Sequence, residues 1–107
     1  MKLEITKNEI THVLYVHFQT DYFNINHAGK LFDKPRLGIA CQVEFPNYDG
    51  DIHFGNGEAF CAPMDKFNKS RGRTLALSRA LSEFTFLNHD DRKSIFDALR
   101  AKGVKIG

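Results

Sequence analysis

The chain has 107 residues, of which 42% are hydrophobic, 26% are charged and three are prolines. This length fits one domain, and the composition is that of a globular protein, which excludes disordered, collagen-like and coiled-coil chains. No apolar run approaches the roughly 18 residues of a transmembrane helix, and the first residues lack the apolar stretch of a signal peptide. We therefore expect a single domain over residues 1–107 that works in a cytoplasm without membrane contact.

Charge is distributed unevenly along the chain. Residues 1–62 carry five lysines and arginines against eight acids, a net charge of −3, whereas residues 63–107 carry ten against five, a net charge of +5. A basic segment suits an acidic partner or nucleic acid, because summed charge acts at a distance. The alternative is an ordinary solvated helical face.

Alternating apolar residues predict strands near 3–6, 11–19, 36–45 and 51–61. The alternation is clearest in 36–45, where every second residue is apolar or Cys. In such a strand the apolar side chains share one face, which the rest of the domain must cover.

Two segments interrupt this alternation, one between two predicted strands and one within a strand. Residues 20–36 form a long polar connection that carries Tyr22 and Phe23, and embedded aromatics favour a packed or partner-binding loop. Gly55-Asn56-Gly57 predicts either a bulge or a further tight turn, and the sequence leaves both open.

After Pro63 the apolar period changes from two to about 3.6, which predicts helices at about 69–83 and 90–102. Asp65 or Asn68 is suited to cap the first helix, and Asn88 the second. Strands followed by helices predict an α+β fold, in which a three- to four-stranded antiparallel sheet is covered on one face by the two helices. The other face is left for solvent or a partner.

Residue types that carry chemistry are scattered. Cys41 and Cys61 are too far apart for zinc-finger spacing, and we expect both to be buried and reduced, with a disulfide only if their strands are neighbours. The five histidines show no metal-ligand spacing. A cysteine enzyme in which His53 is the base and Cys41 or Cys61 is the nucleophile, to be tested by Cys61→Ser, is a third-ranked hypothesis. We expect no enzyme activity, no metal and no cofactor.

The densest group of charges surrounds the start of the first helix. The free amides of a helix start favour anions, so cations there are placed to hold phosphates or carboxylates. The alternative is that Gly72 lets the helix pack closely on the sheet while the arginines only solvate its outer side. The cations are Lys66, Lys69, Arg71, Arg73 and Arg79.

The same region carries a resemblance. Residues 61–81 read Cys-x-Pro-x-Asp-x-Phe-x-Lys-x-x-Gly-Arg-x-x-Ala-Leu-x-Arg-Ala-Leu. This block resembles a group of small, poorly characterised bacteriophage proteins. The resemblance implies a phage-borne accessory protein that works in the cytoplasm of an infected bacterium.

The leading hypothesis is a non-catalytic binding protein that inhibits a bacterial defence complex, such as a CRISPR effector, by protein–protein contact. Its partner would be a host protein or ribonucleoprotein, bound through the loop with Tyr22 and Phe23 and the five cations. The alternative is a small nucleic-acid-binding module that uses the basic helix start between Lys66 and Arg79 on phosphates. The sequence leaves open whether a second copy covers the open face of the sheet in a homodimer.

Overall fold

A computed structural model describes residues 1–23, 26–27, 30–31, 36–46, 51–60 and 68–106, with no side-chain description for residues 23, 26–27, 30–31 and 36. Its elements in chain order are β1 (Lys2–Lys7), β2 (Ile10–Phe23), β3 (Asn26–His27), β4 (Lys30–Leu31), β5 (Arg36–Pro46), β6 (Ile52–Phe60), α1 (Lys69–Leu81) and α2 (His89–Ala101).

The main sheet has four antiparallel strands in the order β1-β2-β5-β6, and β3 pairs with β4 in a separate two-stranded sheet. The predicted α+β fold, with an antiparallel sheet covered on one face by two helices, is confirmed. The predicted connection over residues 20–36 is partly wrong, because β2 continues to Phe23 and β3 and β4 lie within that segment. Thr20, Tyr22 and Phe23 are β-branched or aromatic residues that suit a strand. They pair with β5, and this pairing extends β2.

The turn between β1 and β2 consists of Asn8 and Glu9. Both have left-handed backbone angles, with φ of 51° and 66°, and Lys7 pairs directly with Ile10. A two-residue hairpin with positive φ at both positions matches the right-handed twist of the strands that it joins. This turn therefore fixes the register of β1 on β2.

The core lies between the sheet and the helices. α1 packs on β5 and β6, and α2 packs on β1. Every second residue of the strands faces this layer and meets the apolar stripe of each helix. The largest fully buried side chains are Leu3, Leu14, Ile39, Leu77, Leu81, Ile95 and Leu99.

Gly55 and Gly57 bring α1 close to the sheet. Both belong to an unbroken β6, in which Gly55 pairs with Val43 and Gly57 with Cys41, so the predicted bulge or turn is wrong. A Cβ at Gly57 would overlap the backbone of Ala76 and Ala80 on α1. These glycines are therefore explained by helix packing rather than by chain reversal.

The direction of α1 follows from its contacts. A Cβ at Gly72, in its first turns, would lie 2.9 Å from Ile39 Cδ1, whereas one at Gly55 would meet Ala80 and Phe84 beyond its centre. Ile39 precedes Val43 on β5, so α1 starts at the end of the sheet where β2 finishes. In the part of the chain that is described, no helix has both the length and the apolar character to cross a membrane.

Candidate partner-binding site

The start of α1 presents two exposed cations. Asn68, which caps the helix as predicted, accepts a hydrogen bond at Oδ1 from the Arg71 backbone N–H at 3.0 Å. Lys69 and Arg71 are exposed, and neither forms an ion pair with any residue in the described ranges. Lys66, the cation predicted just before them, lies outside the described residues. Both charges therefore face solvent at a helix start, where the backbone amides also favour anions.

Two of the predicted site residues are held by backbone carbonyls instead. The Arg73 guanidinium donates to the Lys105 carbonyl oxygen at 3.1 Å, and the Arg79 guanidinium donates to the Glu58 carbonyl oxygen. Lys105 follows α2, whereas Glu58 lies on the outer strand β6, so the two arginines reach to opposite sides of α1. The five predicted cations therefore do not form one surface.

An exposed aromatic side chain lies at the same end of the molecule. Tyr22 is 67% exposed and pairs with Leu37, two residues before the Ile39 that packs under Gly72. The structure thus brings Tyr22 to the end of the sheet where Lys69 and Arg71 begin α1. The backbone of Phe23 pairs with Arg36, and its side chain lies outside the description. We call Tyr22, Lys69 and Arg71 the basic end.

The thiol of Cys41 is not poised for catalysis. Its side chain is buried in the core, and this burial raises the pKa of the Cys41 thiol to about 12. A thiol with such a pKa supplies almost no thiolate at neutral pH. His53 pairs with Phe45, which places it about 13 Å along the sheet from Cys41 at the usual strand rise. Cys61, the nucleophile of the enzyme hypothesis, lies outside the described residues.

Within the described ranges, no group of three or more His, Cys, Asp or Glu side chains is placed to hold a metal ion. His17 Nε2 lies 3.9 Å from Glu44 Oε1, and this is the closest approach of a histidine to a carboxylate among the described ion pairs. That distance is too long for a hydrogen bond, and two such groups do not define a metal site.

The open face of the sheet contains a shallow depression of about 310 Å³. Ala40 lies at the bottom of this depression. The depression forms because the side chain of Ala40 is shorter than those around it on β2, β5 and β6. The surrounding groups are amides, an imidazole and a carboxylate, which can form hydrogen bonds with a polar partner surface. Those groups belong to His17, Gln19, Gln42, Asn56 and Glu58.

Exposed apolar side chains at the other end of the sheet were not predicted from the sequence. On the helix side, Phe86 is 46% exposed, and its ring lies 5.3 Å from Phe45 and 6.0 Å from His53. On the open face, Ile52 and Phe54 at the start of β6 are each 50% exposed. The sequence shows aromatic residues at both Phe84 and Phe86, but only the structure shows that Phe84 is buried and Phe86 exposed.

Comparison of the chain with family models, curated proteins and solved structures gives no match. The functional interpretation therefore depends on the geometry of the chain's own surfaces. That geometry offers solvent-facing cations at the same end of the sheet as an exposed aromatic side chain, and within the described residues it offers no activated nucleophile.

Proposed function

We propose that the chain is a phage-encoded, non-catalytic binding protein that inhibits a bacterial defence complex, such as a CRISPR effector, by protein–protein contact. The observation that supports it most is the basic end, where Lys69 and Arg71 face solvent without ion-pair partners among the described residues and Tyr22 is 67% exposed. Tyrosine and arginine are enriched among the residues that dominate protein interfaces. The phage context rests on the resemblance of residues 61–81.

The charge of the basic end indicates what it contacts. Two cations at a helix start complement carboxylates, or the phosphates of a ribonucleoprotein, and they accelerate the encounter with such a surface. Arg73 and Arg79 contribute by holding α1 in place, because each bonds a carbonyl of a neighbouring segment. The contact surface is thus small, charged and supported by rigid packing.

An interference assay tests this function. The chain is expressed in bacteria that have an active CRISPR system, and survival of an incoming phage is counted. We expect the wild type to abolish immunity, and Lys69→Glu combined with Arg71→Glu to restore it. The control combines Lys93→Glu, at an exposed position in α2, with Lys102→Glu, at the exposed residue that follows this helix. It changes the net charge by the same amount as the first variant and should still abolish immunity. Immunity that persists in the presence of the wild type would reject the proposal for the system tested.

A nucleic-acid-binding module is the second candidate, and the same two exposed cations favour it. If Lys69 and Arg71 each neutralise one phosphate, the logarithm of the affinity should fall with the logarithm of salt concentration with a slope of about −1.4 on single strands and −1.8 on duplex. The double glutamate variant should remove this dependence. Affinity that does not change with salt would exclude this candidate.

A further inference from the structure

The two edges of the main sheet differ in the side chains that they expose. On the open face, the edge strand β1 carries Lys2, Glu4 and Thr6, which are charged or polar and exposed. The other edge strand, β6, carries Ile52 and Phe54 on that face, each 50% exposed. Charged residues on an edge discourage pairing with a further strand, whereas exposed apolar residues favour it. Only the edge of β6 is therefore suited to strand addition.

The backbone of β6 also presents groups for pairing. Arg79 donates to the carbonyl of Glu58, so that carbonyl points away from β5. Backbone groups alternate between the two sides of a strand, which means that those of Ile52, Phe54 and Asn56 point the same way. Among the strands that the structure describes, none lies beyond β6. Arg79 meets this edge at Glu58, and in the described part of the chain no group is bonded to its outward side from Ile52 to Asn56.

We propose that the edge of β6 at residues 52–56 binds an extended segment of another protein by strand addition, and that this segment carries both apolar and basic side chains on the side that extends the open face of the sheet. Main-chain hydrogen bonds would supply affinity, and contacts with Ile52 and Phe54 would supply specificity. This surface lies at the other end of the sheet from Tyr22 and the start of α1. The proposal is therefore independent of the function proposed for the basic end.

The charge of the β6 edge indicates which kind of segment binds there. On the open face this segment is flanked by the carboxylates of Glu58 on β6 and of Glu44, which pairs with Phe54. The described cation on this edge, Arg79, already donates to a carbonyl. Lysine or arginine on the incoming strand would complement these carboxylates. A second copy of β6 would instead bring the same carboxylates to the shared edge, where like charges repel.

The experiment uses the full chain and two short synthetic peptides. One peptide carries valine and lysine in turn at every second position, with threonine between them, and the other has glutamate in place of each lysine. Amide resonances are followed by NMR during titration. We expect the lysine peptide to shift the amides of Ile52, Phe54 and Asn56 and to slow their hydrogen exchange, and the glutamate peptide to bind about tenfold more weakly. Ile52→Lys combined with Phe54→Lys should abolish the shifts, whereas Leu75→Lys, an exposed apolar position on α1, should not.

Three results would overturn the proposal. The first is the absence of shifts at β6, and the second is equal binding of both peptides. The third is slow exchange of the same three amides before any peptide is added, together with the mass of a dimer in solution, because a second copy would then occupy the edge. Unchanged circular dichroism of the variants shows that lost binding is not lost folding.

Discussion

The ammonium group of Lys7 lies 2.8 Å from Asp91 Oδ2 and joins the end of β1 to the first turn of α2, 84 positions later. The same carboxylate accepts the Asn88 backbone N–H at 3.0 Å, while Asn88 Oδ1 accepts the Asp91 N–H at 2.8 Å. Lys7 also donates to the Phe86 carbonyl at 3.0 Å. One buried carboxylate thus caps α2 and fixes it on the sheet.

This contact predicts a stability that depends on pH. Burial alone would raise the pKa of Asp91, but the hydrogen bonds from Lys7 and Asn88 and the positive charge of Lys7 outweigh it and lower the pKa below the usual value. Because the pKa is lower in the folded state, the stabilisation is present above about pH 4 and is lost as the pH falls through the folded-state value. Asp91→Asn should lower the free energy of unfolding by about 2 kcal/mol at pH 7.

Urea denaturation across a pH series checks this prediction. The difference between wild type and Asp91→Asn should shrink below about pH 4, where the wild-type carboxylate becomes protonated. Asp97→Asn is the matched control, since Asp97 forms an exposed ion pair with Arg100 and its loss should change stability little. A constant difference between wild type and Asp91→Asn from pH 7 to pH 3 would contradict the role of the Lys7 contact.

The close approach of α1 to β6 predicts a large cost for a single methyl group. In Gly57→Ala, the new Cβ would overlap backbone atoms of Ala76 and Ala80, which cannot move without displacing the helix. We expect a loss of about 3 kcal/mol, although Gly→Ala in an open strand would be neutral or stabilising. Asn56→Ala, at an exposed neighbouring position, is the control. Equal thermal stability of Gly57→Ala and wild type would show that α1 lies farther from the sheet.

The fold was largely predictable from local sequence patterns. The features that were missed depend on contacts between residues that are distant in the sequence. Alternation located the strands, and Asn68 and Asn88 cap the helices as expected, because these signals depend on neighbours in sequence. Gly55 and Gly57 were taken for a bulge or a turn because their reason, the backbone of α1, lies some twenty residues away. The ion pair of Lys7 with Asp91 could not be predicted either, because the two residues are 84 positions apart in the sequence.

The candidate site was predictable only in part. Spacing identified cations near the start of α1, but it could not show that Arg73 and Arg79 bond carbonyls on opposite sides of the helix. These hydrogen bonds depend on the positions of β6 and of the segment after α2, which the sequence does not reveal. The exposed edge at Ile52 and Phe54 was likewise hidden, because only the strand order makes β6 an edge.

Burial of Cys41 predicts that its thiol is chemically silent in the folded protein. With its pKa raised to about 12, Cys41 should resist alkylation by iodoacetamide at pH 8. Peptide mapping by mass spectrometry would find it unmodified in buffer and fully modified in denaturant. Modification of Cys41 in buffer at the rate of a free thiol would contradict the burial described above.

The central claim is that the basic end binds a component of a bacterial defence complex. The most direct measurement is affinity capture from the bacterial host with the tagged wild type, followed by mass spectrometry of retained proteins and nucleic acid. We predict that a defence-complex subunit is retained by the wild type and by Lys93→Glu with Lys102→Glu, and is lost with Lys69→Glu and Arg71→Glu. Retention of that subunit by the Lys69 and Arg71 variant, or capture of nucleic acid alone, would contradict the claim.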